Sequence, residues 1–120
     1  GAYDSVNIST VGFSGRGYTR ATEYIKPDLV APGVNILTTT VGGSITSFTG
    51  TSVAAPFVAG SVALLMEWGI VDRNDIFLYG ERLKAFLCNG AIRDNSREYP
   101  NREWGYGRLC LKNTLDLLKK

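Results

Sequence analysis

The chain has no histidine, so the commonest general base of protein catalysis is missing from its own residues. It has only two cysteines, Cys88 and Cys110. That is too few for a disulfide scaffold, and two buried free thiols are expected rather than a bond between them. Neither sign of charge dominates: 13 Lys and Arg stand against 11 Asp and Glu, for a net charge of +2. The basic residues are scattered with acids between them, which reads as a solvated surface and gives no nucleic-acid partner. No apolar run reaches spanning length, because the Ala/Val/Leu stretch 53–66 is too short. It reads as a core helix, and no membrane partner is expected. At 120 residues and 44% hydrophobic, the chain is one domain or part of one. It shows no internal repeat and no low-complexity tract.

What the sequence does have is concentrated in residues 50–60, Gly50-Thr51-Ser52-Val53-Ala54-Ala55-Pro56-Phe57-Val58-Ala59-Gly60. A Thr-Ser pair before an apolar run is a common helix start, with the serine hydroxyl as a cap for a free backbone N–H. Pro56 is expected in the first turn, where its missing N–H would have no helical partner. Ala54, Ala55, Val58, Ala59, Val62, Ala63, Leu64, Leu65 and Met66 leave that helix hardly any polar side, as in a helix buried within a larger protein. The positive end of its dipole would point at Ser52, and free N–H groups there could stabilise an oxyanion. Hydroxyl and donors together make half of an acyl-transfer site. Without histidine, Ser52 is a nucleophile lacking its base.

Along the chain, residues 1–13 read as a strand, a turn at Asp4-Ser5 and Asn7, and a second short strand. Residues 14–27 read as a surface loop. Leu29-Val30-Ala31 is a short buried strand stopped by Pro32-Gly33. Val34 to Thr40 and Ile45 to Thr49 form a hairpin around Gly42-Gly43. The Ser52 helix is expected to end at Gly69, and Asn74-Asp75 to cap another helix. Tyr79 to Asn89 carries Leu83, Ala85, Phe86 and Leu87 against Glu81, Arg82 and Lys84, as in an amphipathic surface helix. A long loop covers 90–107, and a last helix runs from Leu109 to Leu118. Asp94, Glu98 and Glu103 match no calcium loop and read as exposed. Asp28 reads as structural, and Trp104 and Tyr106 as core anchors for the last helix.

Residues 50–60 closely resemble the nucleophile motif of the subtilisin-like serine proteases, the subtilases. Two further stretches agree in order and spacing. Lys26-Pro27-Asp28-Leu29-Val30-Ala31-Pro32-Gly33-Val34-Asn35-Ile36 resembles the strand and turn before the serine, and Phe13-Ser14-Gly15-Arg16-Gly17 the loop before that. Trp104-Gly105-Tyr106-Gly107-Arg108-Leu109 resembles the segment leading into the last helix of the catalytic domain. Tyr99 to Leu109 is similar to the bacterial branch that includes germination subtilases. Two positions depart from the motif. Phe57 stands where the family usually has a histidine that is not the catalytic one. Val53 replaces a frequent methionine.

The resemblance implies an α/β fold. Residues 1–120 would be the C-terminal portion of a subtilisin-like three-layer catalytic domain, with a short hairpin and three helices. The family's triad runs Asp, His, Ser along the chain, so Asp, His and the oxyanion-hole Asn are expected upstream of Gly1. The only catalytic residue expected here is Ser52, in a serine endopeptidase that cleaves peptide bonds through an acyl-enzyme. Ser47-Phe48-Thr49-Gly50 would border the substrate cleft. The chain alone is expected to be inactive. The alternative is a pseudoprotease that keeps the fold as a binding or signalling module. No cofactor or metal is expected in the fragment, with structural calcium compatible with the parent. Expected partners are the upstream part of the same domain and a peptide or protein substrate. An isolated fragment is expected to self-associate through its apolar helix or an unpaired strand at Gly1. The resemblance implies an extracellular or spore- or cell-envelope parent.

Overall fold

The computed structural model describes all 120 residues. It begins with a sheet held by local chemistry. Strand β1 (Ala2–Asp4) turns back into β2 (Ser9–Thr10) because Asp4 Oδ1 accepts the N–H groups of Val6 and Asn7 at 2.9 and 3.3 Å. The pair is antiparallel, with Tyr3 opposite Thr10. On its other side β1 runs parallel to β5 (Ala31–Pro32), with Ala2 opposite Ala31. Beyond β5 the ladder continues through bridges from Val30 to Arg108 and from Arg108 to Ile92. Strand β1 is therefore interior. The expectation of an unpaired edge at Gly1 is corrected: β2 and β5 occupy both of its hydrogen-bonding sides. The expected surface loop 14–27 also has more structure than its polarity suggests. It folds into β3 (Gly17–Tyr18) against β4 (Ile25–Lys26). Ser14 is buried, its Oγ accepting the Ala2 N–H at 3.0 Å.

Strands β6 (Ile36–Thr39) and β7 (Ile45–Phe48) form the expected antiparallel hairpin. Gly42 and Gly43 make its turn with φ of 89° and 81°, a region that glycine enters without a Cβ clash. Helix α1 (Thr51–Met66) follows. Pro56 is its sixth residue and not part of the first turn. The missing Pro56 N–H leaves the Ser52 carbonyl without its helical donor. Gly69 does not stop the helix either. The chain continues as a π turn over Glu67–Val71 and leaves the helix at Arg73, which has a left-handed φ of 60°. A Cβ at Gly69 would sit 2.9 Å from the Asp75 carbonyl oxygen and from Leu78. Close approach, and not termination, is what needs glycine there. Together Thr51–Val71 make 21 residues, long and apolar enough by length and composition to cross a membrane. Counting only 53–66 understated this segment.

Asp75 caps a turn instead of a helix: its Oδ1 accepts the Phe77 N–H at 3.2 Å, and Arg82 grips Oδ2. Helix α2 (Gly80–Gly90) starts after Tyr79 with no side-chain cap. It buries Leu83, Leu87 and Cys88, but Ala85 faces outward. Helix α3 is shorter than expected, Leu111–Leu118, because Leu109 belongs to the backbone ladder and donates its N–H to Val30 at 2.9 Å. Gly90 lets α2 and α3 meet, since a Cβ there would lie 2.8 Å from the Thr114 backbone. Leu65, Leu78, Leu83 and Leu87 form the main core, flanked by Val58, Val62, Leu111 and Leu115. Trp104 is buried against Tyr3 and Val30, so it anchors the sheet and not α3. Tyr106 is 38% exposed and does not fill the core role expected for it; its backbone is what is engaged, the N–H donating to the Asp28 carbonyl and the carbonyl accepting from Arg93 Nε. Both thiols are free, Cys88 buried and Cys110 half-buried.

Candidate functional site

Ser52 is the second residue of α1 and is exposed. The cap expected of its hydroxyl is not made. Gly50 occupies the cap position, and no side chain bonds the first turn. Instead the Gly50 carbonyl accepts the N–H groups of Val53 and Ala54 at 3.2 and 3.3 Å. The Ser52 N–H has no acceptor within the chain. A free hydroxyl and a free N–H therefore stand side by side at the positive end of a 16-residue helix. That arrangement is suited to attack on a carbonyl carbon and to holding the oxyanion that forms. Ser61, further along the same helix, shows the contrast: its hydroxyl donates to the Phe57 carbonyl at 2.8 Å.

The approach to Ser52 is fastened to the sheet. The Gly33 N–H donates to Tyr3 of β1 at 3.1 Å, and the Gly33 carbonyl accepts the Gly50 N–H at 2.8 Å. A Cβ on Gly33 would come within 2.5 Å of the Ala2 side chain and 2.9 Å of the Gly50 carbonyl oxygen. The contact therefore requires glycine. Next to it the Asn35 N–H donates to Thr49 Oγ1 at 2.9 Å. Gly33 did not stand out as a site residue, and Thr49 was expected only as part of the cleft border. The Pro-Gly turn before the hairpin was the available signal.

Beside Ser52, between the hairpin and α1, lies a cleft of about 390 Å³. Ile36, Leu37, Phe48, Val53, Pro56 and Phe57 make it apolar. Of Ser47, Phe48, Thr49 and Gly50, expected to border a substrate cleft, only Phe48 lines this one. A second, larger cleft of about 770 Å³ runs along the other face of α1, walled by Ala55, Val58, Ala59 and Val62 and by Leu83 and Leu87 of α2. Helical periodicity keeps the two faces apart.

Asp28 lies at the larger cleft, away from Ser52. Lys26 Nζ and Lys84 Nζ reach its Oδ2 at 2.6 and 3.3 Å. Burial works against its ionisation, but the two lysines outweigh that and hold its carboxyl below the ordinary value. The same contact raises Lys84. Burial pushes the Cys88 thiol up, away from the reactive thiolate. Asp94 is paired with Arg97 and Arg108, and Glu103 with Arg16. Those carboxylates are engaged by guanidinium groups.

Comparison with known proteins gives a consistent picture. The model of the subtilase family matches residues 1–107. The PII-type proteinase of Lactococcus lactis subsp. cremoris is 37% identical over 109 residues, covering 79% of this chain and 6% of that protein. The minor extracellular protease Vpr of Bacillus subtilis (strain 168) is 34% identical over 116 residues, covering 86% of this chain and 13% of that protein. Among solved structures, the Clostridium perfringens CspB protease superposes with a TM-score of 0.95 at 50% identity, covering all of this chain (100%) and 26% of the other. The patellamide maturation protease PatA gives a TM-score of 0.74 at 30% identity, covering 99% of this chain and 42% of the other. The mixed α/β architecture is thus that of subtilase-fold proteases. The chain spans only a small part of the length of the curated relatives it matches.

Proposed function

The chain belongs to the subtilase family, and from that premise we propose that it carries the nucleophile of a serine endopeptidase, with Ser52 as that residue. Ser52 Oγ attacks the scissile carbonyl, and the Ser52 N–H donates one hydrogen bond to the resulting oxyanion. A histidine and an aspartate from the rest of the catalytic domain complete the triad, since this chain has no histidine. The observation that carries the reading is the pair of unengaged groups on Ser52 at the start of α1.

The rest of the domain is also the proposed partner of the apolar cleft along α1. Only Ala54 and Leu65 of that helix are buried within this chain. The other apolar side chains are those that a subtilase domain would cover, so Thr51–Val71 is read as a core helix and not a membrane span. Without that cover the isolated chain associates with itself through the helix, now that the edge at β1 is known to be paired. The substrate is a peptide or protein. An extracellular or envelope-associated parent is in keeping with the extracellular Bacillus subtilis relative.

The test is hydrolysis of casein by the whole protein, by its Ser52→Ala variant and by the 120-residue chain alone. Turnover in the whole protein should fall by at least about a thousandfold in Ser52→Ala, and the chain alone should show none above background. A folded whole protein with no turnover would point instead to the pseudoprotease reading.

A further inference from the structure

We propose that Thr49 is a positioning residue for Ser52; the proposal rests on the reading of Ser52 as the nucleophile. Ser52 makes no side-chain hydrogen bond that could aim it. Its direction is inherited from the helix start and from the two residues that lead into it. The Gly50 N–H is tied to the Gly33 carbonyl at 2.8 Å. The hairpin ladder holds the incoming chain as far as Phe48, opposite Ile36, and beyond it that single tie would leave Thr49 and Gly50 free to swivel. The Asn35 N–H on Thr49 Oγ1, at 2.9 Å, is the second tie. It falls on the adjacent residue and reaches the same turn after β5.

Two bonds from residues 49 and 50 to residues 33 and 35 remove the swivel. Asn35 has a left-handed φ of 52°, a conformation asparagine tolerates better than most residues. That conformation belongs to the turn that presents its N–H to Thr49. From Gly50 onward the helix is rigid, because its carbonyl already accepts two N–H groups from the first turn. An error in the entry angle at Thr49 is therefore carried to Ser52 Oγ, where a misplacement of about 1 Å costs on the order of a hundredfold in rate. The threonine hydroxyl supplies the acceptor, and its methyl group is not needed for this.

The test uses the whole protein and two variants. Thr49→Val keeps the shape and removes the acceptor, and Thr49→Ser keeps the acceptor and removes the methyl. Thr49 is exposed, so both should fold, which melting curves would verify. The readouts are the rate at which a fluorophosphonate probe labels Ser52 in the folded protein, and kcat and KM on a peptide substrate. Thr49→Val should slow labelling about five- to tenfold and lower kcat with KM little changed. Thr49→Ser should return both to within about twofold of wild type. Labelling of Thr49→Val at the wild-type rate, or a Thr49→Ser variant as slow as Thr49→Val, would overturn the proposal. A wild-type protein unlabelled at Ser52 would instead contradict the nucleophile reading and remove the proposal with it.

Discussion

At its C-terminal end α1 places Leu65 in a cluster with Leu78, Leu83 and Leu87, each no more than 5% exposed. At its N-terminal end the same helix presents Ser52 in the open, beside a cleft walled by exposed Leu37, Phe48 and Phe57. One end is finished by side chains that this chain supplies. The other is held by backbone, through Gly33 and Gly50, and stays open. Core packing can be completed within a fragment because Leu65 needs only apolar neighbours of suitable volume. A catalytic serine needs a base at hydrogen-bond distance, and no neighbour in this chain is a histidine.

The sharpest way to break this contrast is to substitute adjacent leucines. Leu65→Ala, at a site with 0% exposure, should destabilise the chain by about 2–5 kcal/mol. Leu64 is 54% exposed on the open face. Leu64→Lys should change stability by no more than about 0.5 kcal/mol and should lower the mass seen by light scattering at high protein concentration. Denaturant unfolding of the two variants checks the first part, and a dilution series checks the second. Equal costs at the two positions would mean that the buried and open faces of α1 are not different in kind.

A smaller effect concerns the larger cleft. Lys26 and Lys84 hold the Asp28 carboxyl below its ordinary value. A lowered folded-state pKa gives a contribution that is present above the unfolded value, about 3.9. It is lost as pH falls through the folded value. Asp28 is about one-third exposed and both lysines more so, so Asp28→Asn should cost no more than about 1 kcal/mol at neutral pH. Its stability should fall less steeply than wild type below about pH 4. Urea midpoints between pH 3 and 7 would show this. Parallel curves would mean that the ion pair contributes nothing.

Legibility in the sequence followed the same division. The hairpin was readable because Gly42-Gly43 separates two runs of strand-forming residues, and a turn of that kind is a local choice. The face of α2 was readable from the spacing of Leu83 and Leu87. The place of Ser52 at the start of α1 was readable from the motif around it. What was not legible depended on distant contacts. Gly69 reads as a helix stop, but Asp75 and Leu78 use it for close approach. Tyr106 reads as an anchor, but it is its backbone that is engaged, by Asp28 and Arg93. The strand at Gly1 reads as an edge because its partner β5 lies 29 residues away, with Ala31 opposite Ala2. At Ser52 the cap reading failed because Gly50 already organises the first turn through its carbonyl. That left the hydroxyl free.

On the reading proposed above, Ser52 is a nucleophile whose base lies outside this chain. The most direct measurement is reaction of a fluorophosphonate probe with the whole protein and with the 120-residue chain, each digested and mapped by mass spectrometry. The expected result is a label on Ser52 in the whole protein and none on the isolated chain. Labelling of an active whole protein at another serine, such as Ser61, or labelling of Ser52 in the isolated chain at the whole-protein rate, would contradict it.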